Sequence, residues 1–238
     1  MTQSILRYKK NINSQNGEDG IIEYIFNTMG ITKGNFIEFG AWDGKHLSNC
    51  YKLFNEGWSG IFIEADAKKF NDLQSSFGHY NDRLTLINKM VGYHSNDNLD
   101  IIIETSGHST KEFDFVSIDV DGLDYNIFKY MQKYLPKVIC IEVNAGHSPM
   151  FNKEIPIEIA KENIGQSMTV ICLEAEKKGY FPICYTGNLF LIKNEYKLLF
   201  QEHIKSITDI YIDFLDHLPK DDLEYLLKHF YGKNIFVR

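Results

Sequence analysis

The chain has 238 residues, long enough for one large α/β domain with a small appendage and short for two full domains. Hydrophobic residues make up 44% and charged residues 24%, a balance that excludes disordered and fibrous classes. The formal charge of -7 is spread over interspersed acids and bases, so no basic stripe offers itself to a phosphate backbone and nucleic acid is excluded as a partner.

The opening residues, MTQSILRYKK, lack the apolar core of a signal peptide, and no apolar run approaches membrane-spanning length. The expectation is a cytoplasmic protein without a membrane partner. Residues 14–30, SQNGEDGIIEYIFNTMG, read as a helix with Ser14 as N-cap, Glu18 and Asp19 at its positive end, and Gly30 as its stop. Beyond capping, Gln15 or Glu18 is placed to reach over a ligand cleft, as a lid would.

Five short apolar runs follow and read as buried strands: 36–39 (FIEF), 60–64 (GIFIE), 84–88 (LTLIN), 115–119 (FVSID) and 138–142 (VICIE). Amphipathic helices are predicted between them over 46–56, 67–77 and 123–134, the last ending before Pro136. Past the fifth strand the rhythm changes. Residues 145–163 form a loop-like insert with Pro149 and Pro156, 166–178 read as a helix, and 181–185 with 189–193 form a hairpin. From 197 onward the spacing is helical with a break at Pro219, and this tail is expected either to cap the sheet or to make a homodimer contact.

The alternation predicts a Rossmann-like, doubly wound, mostly parallel seven-stranded sheet with an antiparallel C-terminal hairpin. Residues 1–196 form the main domain, and 197–238 a helical C-terminal appendage. Cys50, Cys140, Cys172 and Cys184 are scattered without metal-ligand spacing and read as reduced packing residues.

In an open parallel sheet, ligands bind outside the carboxyl ends of the strands. The turn after the first strand carries Glu38, Gly40 and Gly44, with Trp42 where a dinucleotide fold places the glycine that lets backbone approach a pyrophosphate. A tryptophan there argues against a phosphate cradle. Glu64 ends the second strand 20 residues past Gly44, which matches an acid that bonds ribose hydroxyls. A nucleoside held without a pyrophosphate is what S-adenosylmethionine requires.

With those residues in place, the chain resembles class I S-adenosylmethionine-dependent methyltransferases of the FkbM-like kind. The resemblance rests on SQNGEDG (14–20), FIEFGAWDGKHLSN (36–49) continuing to GWSGIFIEAD (57–66), and FDFVSIDVDGLDYNIF (113–128). Weaker matches are PKVICIEVNAG (136–146), the GQSM helix start at 165 and GNLFLIK (187–193), so the tail lies outside it. It implies that Glu38, Gly40 and Trp42 line the methionine end and that Glu64 holds the ribose, with Ala41 and Ala65 beside them. Asp43, Ser48 and Asn49 would serve the charged amino-acid end, and Lys89 falls near the adenine.

The fourth and fifth strands end in Asp119-Val120-Asp121-Gly122 and Glu142-Val143-Asn144, which should open onto the methyl group. In one reading Asp119 orients the methionine amine while Asp121 or His147 takes a proton from the acceptor. In the other, Asp119, Asp121, Glu142 and Asn144 hold Mg²⁺ or Mn²⁺, which acidifies the acceptor hydroxyl; the metal-free reading is preferred.

The expected activity is O-methylation of a small sugar- or phosphate-containing acceptor. The resemblance implies capsule or surface-glycan modification, such as O-methyl phosphoramidate synthesis. Two other classes fit the same residues: an N-methyltransferase for a small amine, and a catalytically silent binding module.

Overall fold

The sheet predicted from sequence is present in the computed structural model, which describes residues 4–108, 110, 112–144, 146–162, 164–226 and 228. Its strands are β1 (Asn35–Phe39), β2 (Ser59–Glu64), β3 (Leu84–Asn88), β4 (Phe115–Ile118), β5 (Val138–Glu142), β6 (Tyr180–Tyr185) and β7 (Asn188–Lys193). They lie in the order β3-β2-β1-β4-β5-β7-β6. β1 to β5 run parallel, and β7 runs antiparallel between β5 and β6.

Sequence pattern and position agree. β4 is buried at every residue and sits inside the sheet, where both faces are covered; β3 forms one edge and is largely half-buried. The chain builds outward from β1 to β3 and then returns to β4 on the other side of β1. The strand order therefore reverses between β1 and β4, where this architecture opens a ligand crevice.

The helices are α1 (Glu18–Met29), α2 (Tyr51–Asn55), α3 (Ala67–Phe77), α4 (Leu99–Thr105), α5 (Asp124–Tyr130), α6 (Ile157–Ala160), α7 (Met168–Lys177), α8 (Ile207–Asp216) and α9 (Lys220–Leu226). Some differ from expectation for identifiable reasons. α2 is one turn long, not a helix over 46–56. Asp43 binds the backbone N–H groups of Lys45 and His46 in a tight turn, and Leu47 has φ 56°, which no right-handed helix holds.

α5 stops at Tyr130 because the Asp100 carboxylate draws the N–H groups of Gln132, Lys133 and Tyr134 away from a helical path. α4 was not expected; the Asn98 side chain caps it by accepting from Ile101 N–H. α6 adds one turn within the insert after β5. Ser14 is not the N-cap of α1, which begins after Gly17, although its hydroxyl does accept the Asp19 N–H at 3.0 Å. Gly30 closes α1 in the left-handed conformation, as expected.

The tail breaks at Pro219, between α8 and α9. Phe200, Tyr211 and Phe214 are buried in the same core as the sheet, and Phe214 lies 4.5 Å from Tyr185 on β6. Residues 229–238 of the predicted appendage lie outside the described residues. All four cysteines are buried and free. Among the described residues no helix is long and apolar enough to cross a membrane.

Phe115, at 0% exposure on β4, packs edge-to-face on Phe26 of α1. Phe115→Ala is expected to lower unfolding free energy by about 3–5 kcal/mol, read as a drop in urea midpoint at unchanged slope.

Candidate functional site

The turn after β1 is pressed against the end of β4. Gly40 has φ 72°, and a Cβ there would lie 2.4 Å from the Asp119 carbonyl oxygen, so both its conformation and its neighbour require glycine. Two buried carboxylates then fix the loops around it. Glu64 accepts Trp42 N–H and Asp66 N–H, one on each oxygen, both at 2.7 Å. This joins the turn after β1 to the turn after β2 and leaves the remaining lone pairs available to a ligand.

Glu38 accepts the Ser48 hydroxyl at 2.5 Å and Asn49 N–H at 2.7 Å. Ser48 in turn receives the N–H groups of Cys50 and Tyr51 at the start of α2. Asn49 continues the chain of contacts to Ser117 Oγ on β4 at 3.0 Å. Burial pushes the Glu38 carboxyl up to about 7 against the pull of these donors, with the Asp119 charge adding to the rise.

These elements enclose a cavity of about 510 Å³ at the carboxyl ends of β1, β2 and β4. It brings together Gln15, Glu38, Gly40, Ala41, Trp42, Ser48, Asn49, Glu64, Ala65 and Asp119. Three residues expected with them stand elsewhere. Asp43 faces a shallow outer depression, the Gly44 Cα packs toward Leu73 and Phe77, and Lys89 is exposed and does not line the cavity.

Leu47, Lys69 and Asn188 line the cavity and were missed from sequence. Trp42 and Leu47 are 42% and 45% exposed, and the Lys69 ammonium stands 4.6 Å from the Trp42 ring centre. Trp42 was expected there; Leu47 was not readable, because it lies in the segment 46–56 whose spacing imitates a helix. Asn188 carried a signal in its place at the start of the second hairpin strand.

A second cavity, of about 380 Å³, adjoins the first and shares Gln15, Asp119, Asp121 and Asn188 with it. One oxygen from each of Asp119, Asp124 and Glu142 gathers within 4.8 Å. Asp124 is the member sequence reasoning overlooked. It accepts Val120 N–H at 2.8 Å and Gly122 N–H at 2.9 Å, which shapes the turn holding Asp121 at φ 56°. Of the four residues considered as metal ligands, Asp121 lines the cavity outside the trio. The Asn144 amide is spent on Ile164 O at 2.7 Å and Gly146 N–H at 2.8 Å.

His147 lines neither cavity. Its Nε2 lies 3.0 Å from Ile164 O and its ring stacks on Phe151, which ties the insert together.

Crowded acids with little water share protons. Burial, then the charges of Asp121 and Glu18, pushes Asp119 up to about 6; its carboxylate opens onto the cavities but is hemmed by protein elsewhere. Burial also raises Asp124 to about 7, helped by Asp119, and Glu142 to about 8, helped by Asp124, Asp119 and Asp121. Among the described residues the lining of this second cavity includes no lysine, arginine or histidine. The trio can therefore hold protons jointly and accept one more from a bound hydroxyl. As hard oxygen donors without a competing cation, the same three also fit Mg²⁺ or Mn²⁺.

No protein-family model matches the chain, and no curated protein matches it. Solved structures with a similar fold include an O-methyltransferase from Bacillus cereus in complex with SAH, at 16% identity over 77% of this chain and 84% of that one, TM-score 0.48. A putative O-methyltransferase from Klebsiella pneumoniae aligns at 12% identity over 79% and 88%, TM-score 0.48. An SAH-bound methyltransferase from Podospora anserina aligns at 13% over 76% and 79%, TM-score 0.48.

The raised carboxyls set a pH dependence. The native state keeps protons on Glu38, Asp124 and Glu142 at pH values where the unfolded chain has lost them, so this contribution is fullest at low pH and is lost as pH rises through about 7 to 8. Urea midpoints are expected to fall between pH 6 and pH 9, and Glu142→Gln is expected to flatten that slope.

Proposed function

We propose that the chain is an S-adenosylmethionine-dependent methyltransferase acting on a hydroxyl of a small, sugar-like acceptor. The observation that carries this reading is the pair of cavities meeting at Asp119 and Asp121, one with the strand-end acid Glu64 beside Trp42, the other lined by carboxylates and amides. In the larger cavity Glu64, already oriented by two backbone N–H groups, accepts from ribose hydroxyls. The network of Glu38, Ser48 and Asn49 shapes the methionine end.

When bound, the sulfonium supplies the electrophilic methyl group. The chain's own residues align the acceptor oxygen within about 3–3.5 Å of it and in line. Asp119 faces both cavities and takes the proton from the hydroxyl, with Asp124 and Glu142 beside it to share the charge. Such base assistance is worth about 10²–10⁴ in rate. Among the described residues the lining of the second cavity has no cation to balance a phosphate, which favours a sugar hydroxyl over a phosphoramidate oxygen as the acceptor atom. The FkbM-like resemblance supplies the setting, modification of a capsule or other surface glycan.

A second reading is favoured by the closeness of Asp119, Asp124 and Glu142: the three hold a divalent cation that acidifies the acceptor hydroxyl directly. Activity that survives EDTA selects the carboxylate base. Activity lost to EDTA and restored by Mg²⁺ or Mn²⁺ selects the cation.

S-adenosylhomocysteine at about 100 times its Kd is expected to stabilise the protein by about 2.7 kcal/mol, seen as a rise in Tm. Tight binding of NAD with none of S-adenosylhomocysteine would sink the proposal. Glu64→Ala is expected to weaken S-adenosylhomocysteine by about 10- to 100-fold in calorimetric titration, the loss of hydrogen bonds to a charged group. Asp119→Asn is expected to lower kcat by about 10²–10⁴ on a sugar acceptor, with a smaller effect on nucleoside affinity.

A further inference from the structure

The stretch between Lys10 and Gly20 leaves the body of the protein and returns to the first turn of α1 with its neck closed. Lys10 N–H donates to Gly17 O, and Gly20 N–H donates to Lys10 O, both at 3.3 Å. The neck closes only over glycine, since a Cβ at Gly20 would lie 1.9 Å from Tyr8 O. A short segment with joined ends and its own internal bonding is an Ω-type loop.

What fills this loop is one carboxylate oxygen. Asp19, 1% exposed, accepts on Oδ2 the N–H groups of Ile12 at 2.8 Å, Asn13 at 2.6 Å and Ser14 at 2.8 Å, together with the Ser14 hydroxyl at 2.9 Å. Three consecutive backbone donors turned onto one anion form a nest, with charge-assisted bonds at its centre. Glu18, beside it in sequence, ties the loop outward. One oxygen accepts Asn16 N–H at 2.7 Å; the other accepts the Thr186 hydroxyl at 2.8 Å and Asn188 Nδ2 at 3.4 Å, in the turn joining β6 and β7. The loop so held puts Gln15 into the lining of both cavities and Asn16 into the second. Asp19 itself lines neither.

We propose that residues 12–17 are a cover over the seam of the two cavities, held shut by Asp19, which makes Asp19 a positioning residue that retains the nucleoside through Gln15. This rests on the reading of the larger cavity as an S-adenosylmethionine site. Asparagine at position 19 removes the charge and leaves only a neutral carbonyl oxygen to face the four donors, so the cover loosens without loss of any group that touches the ligand. The signature is kinetic: escape of the ligand accelerates while entry stays the same.

The test follows S-adenosylhomocysteine by stopped-flow tryptophan fluorescence, since Trp42 lines the cavity and the other tryptophan, Trp58, is buried. Asp19→Asn is expected to raise the dissociation rate about tenfold and leave the association rate within about twofold. In parallel, trypsin should cut after Lys9 or Lys10 faster in the variant, and the ligand should no longer protect that site. Ser14→Ala, which deletes the one side-chain donor to Asp19, is expected to give about a threefold rise and carries the test if Asp19→Asn does not fold. Wild-type dissociation and cleavage rates in both variants would overturn the proposal. If the wild-type protein binds no S-adenosylhomocysteine, the methyltransferase reading fails. Ligand-free cleavage then still decides the clamp: unchanged cleavage in Asp19→Asn overturns it, and faster cleavage supports it.

Discussion

The site depends on the close approach of Gly40 to the Asp119 carbonyl. These two points end β1 and β4, the neighbouring strands between which the strand order reverses. With no side chain at position 40, the turn after β1 lies directly on the end of β4, where the two cavities share Asp119 and Asp121. A chemical group in one cavity is then within reach of a group in the other. Any larger residue would move the strand ends apart and with them the carboxylate that both cavities use.

Around that contact, carboxyl groups organise the loops. Glu38, Glu64, Asp100, Asp124, Glu18 and Asp19 each accept backbone N–H groups from segments without regular structure. A carboxylate with two oxygens can satisfy several buried donors at once, which suits a region built of turns where no ladder exists to pair them. The excess of acids over bases in the composition is thus partly a scaffold for irregular backbone. Its by-product is a group of acids with raised proton affinity around one cavity.

The sheet was legible in the sequence because its strands are short, apolar and separated by helical spacing, a pattern whose apolar surface is buried when helices cover both faces of a parallel sheet. The place of Glu64 in the cavity lining was legible for the same reason: it ends a strand, where position along the chain fixes position in space. What sequence could not give was set by side chains binding backbone at a distance. Asp43 and Leu47 convert a helical pattern into turns, and Asp100 ends α5 from 32 residues away. Asp124 drew no attention within the predicted helix 123–134 and serves as a turn former in the carboxylate trio. His147 looked mobile and poised, but nothing in its neighbourhood revealed that Ile164 O would occupy its ring.

The antiparallel β7 has a consequence for how such a protein can change. Because β7 runs against β5, its first residue, Asn188, pairs with the last residue of β5, Glu142. The turn before β7 therefore rises on the same side as the ends of the parallel strands and furnishes one wall of the second cavity from the far end of the chain. The first cavity is drawn mostly from the amino-terminal half. Altering a single hairpin can remodel that wall while the first cavity keeps its lining, so the molecule separates the sources of its two cavities along its own length.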